Sequence, residues 1–380
     1  MTRRKVLLFR PDLAEGGADR VTITLLRHLD RGRFEPVLVL MRQGGVLLPE
    51  VPPDVPVRSL DARRLRTSAL ALARAVRAER PAVVLSTSSG GNVVAALGVR
   101  LAGAQTRLVL SERNTFSAAR AERFSRATPV TAIKRFFYTQ ADRIIAVSRG
   151  VADDLITALR LPKDLVTVIY NPVVDDTLPA LASAPLEHPW FGGDVPVILA
   201  AGRLVPQKDF PTLLRAFAEL RPRHPARLVV LGEGPQRGEL LALAGALGIA
   251  ESVQFPGFVS NPFAYMRRCT VFALSSRFEG LPGVLIQAMA CGAAVVSTDC
   301  PSGPAEIIED GTSGFLVPVG DSPALALAIG RLLADPELRR RTADAAERRA
   351  RRFGVPEMIR EYEDVLAGTD RAAGGRRGAA

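Results

Sequence analysis

Two cations stand close together in Gly202-Arg203-Leu204-Val205-Pro206-Gln207-Lys208-Asp209, directly after the apolar run Val195–Ala201. Arginine offers a planar fork that grips phosphate oxygens in pairs, and lysine offers a mobile point charge. At the carboxyl end of a strand in an open α/β sheet this pairing points to phosphate; as an ordinary surface pair it would do nothing. A second segment, Ser275-Ser276-Arg277-Phe278-Glu279-Gly280-Leu281-Pro282-Gly283-Val284-Leu285-Ile286-Gln287, runs from a strand through a short loop into a helix opened by Pro282. The backbone from Gly280 through Leu281, Pro282 and Gly283 to Val284 would bring helix-start N–H groups and the helix dipole toward a diphosphate. Glu279 can accept hydrogen bonds from sugar hydroxyls, or simply cap the helix. Gln287 lies about two helical turns further on, within reach of a ribose.

Two glycine turns add weaker signals. Glu15-Gly16-Gly17-Ala18-Asp19-Arg20 joins the first strand to the first helix, where it could admit an anion or only form a tight turn. Gly232-Glu233-Gly234-Pro235 follows another strand and supports loop geometry near a nucleotide. Neither completes G-x-G-x-x-G, which lowers a dinucleotide-dependent oxidoreductase. Cys269, Cys291 and Cys300 lack zinc-ligand spacing and sit among small or apolar residues, as buried reduced thiols do. The chain contains no Asp-x-Asp, and zinc-finger, RNP-type and bZIP patterns are absent, so no metal site and no nucleic-acid partner are expected.

These residues need strands to end beneath them, and the apolar pattern supplies two series. Val6–Phe9, Pro36–Met41, Val83–Ser86, Arg107–Leu110, Arg143–Val147 and Val166–Ile169 read as strands of the first, with helices over Asp19–Leu29 and Gly150–Leu159. Val195–Ala201, Arg227–Leu231, Val253–Phe255, Val271–Leu274, Ala294–Ser297 and Phe315–Val317 form the second, with helices over Asp209–Arg221 and Pro235–Leu247. Asn171–Pro196, rich in Pro, Asp and Ala without periodicity, reads as the linker. After Asp335-Pro336 two Arg-rich helices close the chain, and Ala372–Ala380 reads as a disordered tail. Strand–helix alternation in two series predicts an α/β protein: two facing Rossmann-like domains with parallel sheets and a cleft between them. The expected bounds are 1–175, 176–355 and a closing helix and tail over 356–380 that packs back toward the first domain.

The 380 residues are 47% hydrophobic and 23% charged, which supports two cores and excludes disorder. The net charge of +11 is uneven: residues 1–175 hold 28 basic and 16 acidic side chains. Arginine enrichment can reflect genome composition, or an anionic partner at the first domain. Ala62–Pro81 carries arginines among leucines and alanines, and Ala119–Asp142 mixes Arg120, Arg123, Arg126, Lys134 and Arg135 with Phe124, Phe136, Phe137 and Tyr138. Such mixtures suit a membrane interface, and equally a helix with a buried aromatic face. No secretory signal or membrane span is read, so a cytoplasmic protein is expected, peripheral on the inner membrane face if it meets lipid.

Taken together, the GGADR loop, Ala146–Val151, Val168–Val173, GRLVPQKDF, LGEGP, FEGLPGVLIQAMACG and Ser297–Ile308 resemble the retaining glycosyltransferases of family 4, the group 1 glycosyltransferases of B-type fold. The resemblance spans nearly the whole chain. It implies transfer of a hexose or N-acetylhexosamine from a nucleotide diphosphate sugar, UDP before GDP, to a saccharide or polyprenyl-diphosphate-linked acceptor in cell-surface polysaccharide synthesis. No separate cofactor or metal is implied. Arg203, Lys208 and Glu279 would be catalytic, with Gly17, Phe258, Gly280, Leu281, Pro282, Gly283, Val284 and Gln287 also holding the donor; the Pro256–Val259 loop would take the base. Gly16, Glu112 and Asn114 would lie on the acceptor side. The sequence departs from the family twice: Gln287 stands where a second Glu binds the ribose, and Leu110–Thr115 lacks the cleft histidine. Alternatives are a nucleotide-sugar epimerase of the same fold and a non-catalytic sugar- or membrane-binding homologue.

Overall fold

Apolar runs bounded by turn residues become parallel strands in both halves of the chain, as the computed structural model, which describes residues 3–13, 16–62, 65–123 and 130–370, lays out. Glu15, Arg63, Arg64, Phe124, Arg126 and the tail Ala372–Ala380 lie outside the described residues. The chain divides into two units, Met1–Pro172 with Val355–Ala380, and Val173–Gly354.

The first unit begins β1 (Arg4–Arg10), α1 (Gly17–His28), β2 (Phe34–Leu40), β3 (Val57–Ser59), α2 (Leu65–Glu79), β4 (Val83–Ser86) and α3 (Ser89–Ala102). It continues β5 (Arg107–Glu112), α4 (Phe116–Arg123), α5 (Val130–Tyr138), β6 (Arg143–Ala146), α6 (Arg149–Leu159) and β7 (Val166–Val168). The second unit holds α7 (Leu178–Ser183), β8 (Val197–Ala201), α8 (Phe210–Leu220), β9 (Arg227–Leu231), α9 (Arg237–Ala246), β10 (Val253–Gly257) and α10 (Phe263–Arg268). There follow β11 (Val271–Leu274), α11 (Gly283–Ala290), β12 (Ala294–Thr298), α12 (Pro304–Ile307), β13 (Phe315–Val317), α13 (Ser322–Ala334) and α14 (Pro336–Ala350). The last helix, α15 (Val355–Ala367), belongs to the first unit.

The sheets run β3-β2-β1-β4-β5-β6-β7 and β10-β9-β8-β11-β12-β13, parallel throughout. Each is a doubly wound sheet whose order reverses once, between β1 and β4 and between β8 and β11. Ligands of such sheets bind at that reversal, beyond the carboxyl ends of the strands. Helices cover both faces, so Val197–Ala201 and Val271–Leu274 are buried along their whole length and read as unbroken apolar runs.

Three readings change. The edge strand β3 escaped notice because it is three half-exposed or exposed residues, Val57-Arg58-Ser59, too short for a period to register. Asn171–Pro196 is not a bare linker. Val174 bridges Gly354, and α7 packs on α10 with Leu178 and Ala182 buried. Arg268 and Asn261 donate to the carbonyls of Ala184 (2.9 Å) and Leu181 (2.8 Å), so partners distant in sequence cap a helix its own residues would not hold. His188, Phe191 and Tyr265 then pack edge to face. The final helix is not Arg-rich but amphipathic: Met358, Ile359, Tyr362, Val365 and Leu366 enter the first unit's core. At about 1.5–3 kcal/mol per large apolar side chain, this burial fastens the helix firmly.

Candidate active site

The loop after β8 is shaped by glycines that nothing larger could replace. Gly232 sits at φ +120°, and a Cβ there would lie 2.1 Å from the Gly202 carbonyl oxygen. One on Gly234 would lie 2.4 Å from the Leu204 oxygen. The two loops are thereby laid flat on each other, with Leu204 N donating to Glu233 O (2.8 Å) and Gln236 N to Leu204 O (3.1 Å). A one-turn helix, Pro206–Lys208, ends at Asp209 in the left-handed region (φ 47°), and Thr212 donates to the Asp209 carboxylate at 2.9 Å. This turn carries Lys208 back across Gly202, where a Cβ would lie 3.2 Å from the lysine stem.

The loop after β11 zips onto it. Ser275 Oγ donates to Lys208 O (2.8 Å), Arg277 N to Gln207 O (2.8 Å), and Gln207 Nε2 to Phe278 O (2.9 Å). Glu279, 7% exposed, is ion-paired through Oε1 with Lys208 Nζ, and the same oxygen accepts Ser276 Oγ at 2.6 Å. The last residue of β12 and one shortly after it fix this turn from behind: Thr298 Oγ1 donates to Ser276 O (2.6 Å) and Ser302 Oγ to Gly280 O (2.9 Å). Gly303, at φ +93°, lets that segment approach to where a Cβ would be 2.6 Å from Pro282. The Cys300 thiol, buried here, is pushed up to about 12 by burial and then by the charge of Glu279.

Helix α11 starts at Gly283 with no side chain capping it; Leu285 N donates to Pro282 O (3.0 Å), which leaves the N–H groups of Gly283 and Val284 without a hydrogen-bond partner among the described residues. Arg203 is exposed, and its side chain makes no hydrogen bond or ion pair among the described residues. The structure therefore gathers Lys208, Glu279 and Gly280 at the sheet's reversal point, with Arg203 on the same loop as Lys208. Leu281 and Pro282 are buried, Gly283, Val284 and Gln287 are half-buried on α11, and Phe258 is 40% exposed just past β10.

The remaining candidates lie on the first unit. Gly16 and Gly17 open α1, but Asp19 accepts the Gly16 amide (3.1 Å) and pairs with buried Arg10, so this turn is satisfied internally. Burial pushes the Asp19 carboxyl up, while Arg10 opposes the shift. Gly17 is exposed, and a Cβ there would meet nothing within 4 Å. Glu112, at the end of β5, is 2% exposed; its Oε2 accepts Lys134 Nζ (2.8 Å) and Tyr138 OH (2.6 Å). Asn114 is half-buried and accepts Thr115 N at 3.0 Å. Among the described residues no three His, Cys, Asp or Glu side chains are grouped to hold a metal ion.

Ser276, Thr298 and Ser302 were not singled out from sequence, since isolated hydroxyls carry no spacing signal. Lys134 was grouped with a basic surface, and only the fold reveals its buried partner.

Comparison with known proteins bears on this geometry. Residues 15–177 match the family described as Glycosyltransferase Family 4, and residues 190–349 the family described as Glycosyl transferases group 1. The chain is 31% identical over 378 residues to the N-acetylgalactosamine-N,N'-diacetylbacillosaminyl-diphospho-undecaprenol 4-alpha-N-acetylgalactosaminyltransferase of Campylobacter jejuni, covering 96% of this chain and 100% of that one. It is 27% identical to the amylovoran biosynthesis glycosyltransferase AmsD of Erwinia amylovora, over 92% of this chain and 96% of the relative. Among solved structures, Anabaena HepE in complex with UDP and glucose superposes with a TM-score of 0.83 at 24% identity, covering 96% of this chain and all of that chain, which shows a common fold.

Proposed function

The chain belongs to the group 1, family 4 glycosyltransferases, and from that premise we propose that it moves a hexose or N-acetylhexosamine from a UDP-sugar to a polyprenyl-diphosphate-linked saccharide, with retention at the anomeric carbon. The observation that carries the donor half is exposed, unpaired Arg203 on the loop that also delivers Lys208 to the Glu279 carboxylate, at the point where the strand order reverses. Lys208 is already partly neutralised by Glu279. Arg203 therefore supplies most of the uncompensated positive charge for a diphosphate, and the first N–H groups of α11 add to it. UDP bound in HepE and the diphospho-undecaprenol in the name of the Campylobacter relative support the choice of donor and acceptor.

In the proposed reaction the acceptor hydroxyl oxygen bonds to the anomeric carbon as the bond from that carbon to the diphosphate oxygen breaks. The hydroxyl proton passes to the departing diphosphate. Arg203, Lys208 and the α11 amides stabilise the charge that develops there, and Glu279 holds the transferred sugar through its hydroxyls. Gln287 would hydrogen-bond the ribose diol without adding charge. This chemistry asks no metal of the protein. It belongs at the cytoplasmic face of a membrane, and among the described residues no helix is long and apolar enough to cross one.

The test is transfer from UDP-sugars to a lipid-linked acceptor, with the anomeric configuration of the product read by NMR. Arg203→Ala is expected to lower turnover on the order of 10²-fold, as does removal of other preorganised donors. UDP at about 100 times its Kd should raise the unfolding temperature by several degrees in the wild type, and this shift should vanish when Lys208→Ala is added to Arg203→Ala. Undiminished turnover in Arg203→Ala, or product from donor alone, would overturn the proposal.

A further inference from the structure

The two basic segments that the donor chemistry leaves unexplained, α2 and α5, are brought onto one surface by α3, which packs against both. Their outward side chains are of two kinds. Leu70, Leu101, Ile133 and Phe136 are 52%, 40%, 47% and 53% exposed, and among them stand exposed Arg74, Arg77, Arg100 and Arg135. Arg100 lies over the Phe136 ring at 5.7 Å, joining α3 to α5.

Carboxylates are nearly missing from this surface. Helices α3 and α5 contain none, and α2 contains only Glu79, which Lys5 (3.1 Å) and Arg58 (3.2 Å) neutralise. The surface ends at α6, where Asp153 is exposed. The first unit as a whole carries 32 basic and 20 acidic residues against 18 and 19 in the second, so the entire positive excess is on the unit that bears this face.

The buried side of α5 explains why its apolar residues face out. Lys134 is drawn inward to Glu112 and to Ser89 Oγ (2.7 Å), and Tyr138 is fully buried on the same carboxylate. With that side fixed, Ile133, Arg135 and Phe136 have only the outside left.

We propose that the α2–α3–α5 face of the first unit docks on an anionic lipid surface, Leu70, Leu101, Ile133 and Phe136 entering the headgroup boundary while Arg74, Arg100 and Arg135 meet lipid phosphates. Aliphatic side chains interleaved with arginines match that boundary, where apolar bodies sink and guanidinium heads stay in the polar layer. A nucleic acid would be matched by the arginines alone. Arg77 serves the fold instead, donating to the carbonyls of Leu101 and Ala102 at the end of α3. The inference rests on the reading of a lipid-linked acceptor for its purpose but not for its test.

The test is co-sedimentation of the full chain with vesicles of phosphatidylcholine alone and of phosphatidylcholine with phosphatidylglycerol, without any sugar. Binding is expected only to the anionic vesicles. Arg74→Gln with Arg135→Gln should weaken it about thirtyfold, since each cation near such a surface contributes about a fivefold factor. Ile133→Ser with Phe136→Ser should weaken it as well, at unchanged net charge. Absence of binding, equal binding to neutral vesicles, or indifference to the apolar pair would overturn the proposal; so would duplex RNA binding as tightly as the vesicles and responding to the arginine pair alone. The UDP-induced rise in unfolding temperature, measured on every variant, separates the two claims: docking fails alone if that rise persists, and the donor reading fails if the wild type never shows it.

Discussion

The two oxygens of Glu279 are treated differently by their surroundings. Oε1 is engaged by Lys208 and by Ser276 Oγ at 2.6 Å, whereas Oε2 has no partner among the described residues. Ser276 is fully buried and held in turn by Thr298 through its carbonyl, so its hydroxyl fixes the rotamer of a carboxylate proposed to hold the sugar. A hydrogen bond to a charged acceptor is worth about 1.5–3 kcal/mol. Ser276→Ala should therefore lower kcat about tenfold or more by letting Glu279 turn. UDP lacks the transferred sugar that Glu279 is proposed to hold, so its effect on the unfolding temperature should be unchanged in that variant. A parallel loss of UDP binding would mean instead that Ser276 merely supports the loop.

At the scale of elements, two glycines predict opposite outcomes. Gly232→Ala would need φ +120° in a residue with a side chain and would drive Cβ into the Gly202 oxygen, so the β8 and β9 loops must separate. A loss of several kcal/mol is expected, of the order seen for a bulky insertion into packed backbone. Gly17→Ala has no such obstacle within the first unit and should gain a few tenths to about 1 kcal/mol of helix stability. Urea unfolding of both variants checks the pair; an unaffected Gly232→Ala would deny the loop stacking on which the placement of Lys208 depends. The elements themselves were legible where sequence period and burial coincide: Val83–Ser86, Arg227–Leu231, Val271–Leu274 and Phe315–Val317 are strands over the spans their apolar runs mark. The loops that carry Arg203, Lys208 and Glu279 were legible because glycine, proline and charge cluster where strands give way to helices. What stayed hidden depends on partners far away in sequence. Helix α7 is capped by Arg268, and Glu112, ending β5, looked available until Lys134 and Tyr138, both on α5, closed on it.

Burial holds protons on thiols in the second unit and on a phenol in the first, and this sets how the molecule responds to alkali. In the second unit Cys291 is pushed up to about 12 by burial and Cys300 likewise to about 12, by burial and the nearby Glu279 charge. Burial also raises the half-buried Cys269 thiol. In the first unit Tyr138 is raised by burial and by the adjacent Glu112 carboxylate. The unfolded chain releases thiol protons near pH 9, where the folded chain still retains them. The folded state is then the one binding more protons, and stability must fall as pH rises. Below about pH 8 both states hold these protons and the groups exert no pH dependence. Calorimetric unfolding temperatures should thus be level in this respect up to about pH 8 and decline toward pH 11, with Cys291→Ala and Cys300→Ala together making the decline shallower. The thiols should also resist alkylation at pH 8 until the chain unfolds, because the thiolate is the reactive form. An unfolding temperature unmoved between neutral pH and pH 11 would show that water reaches groups the packing is held to exclude, and rapid labelling of all three cysteines in the native protein would show the same of the second unit.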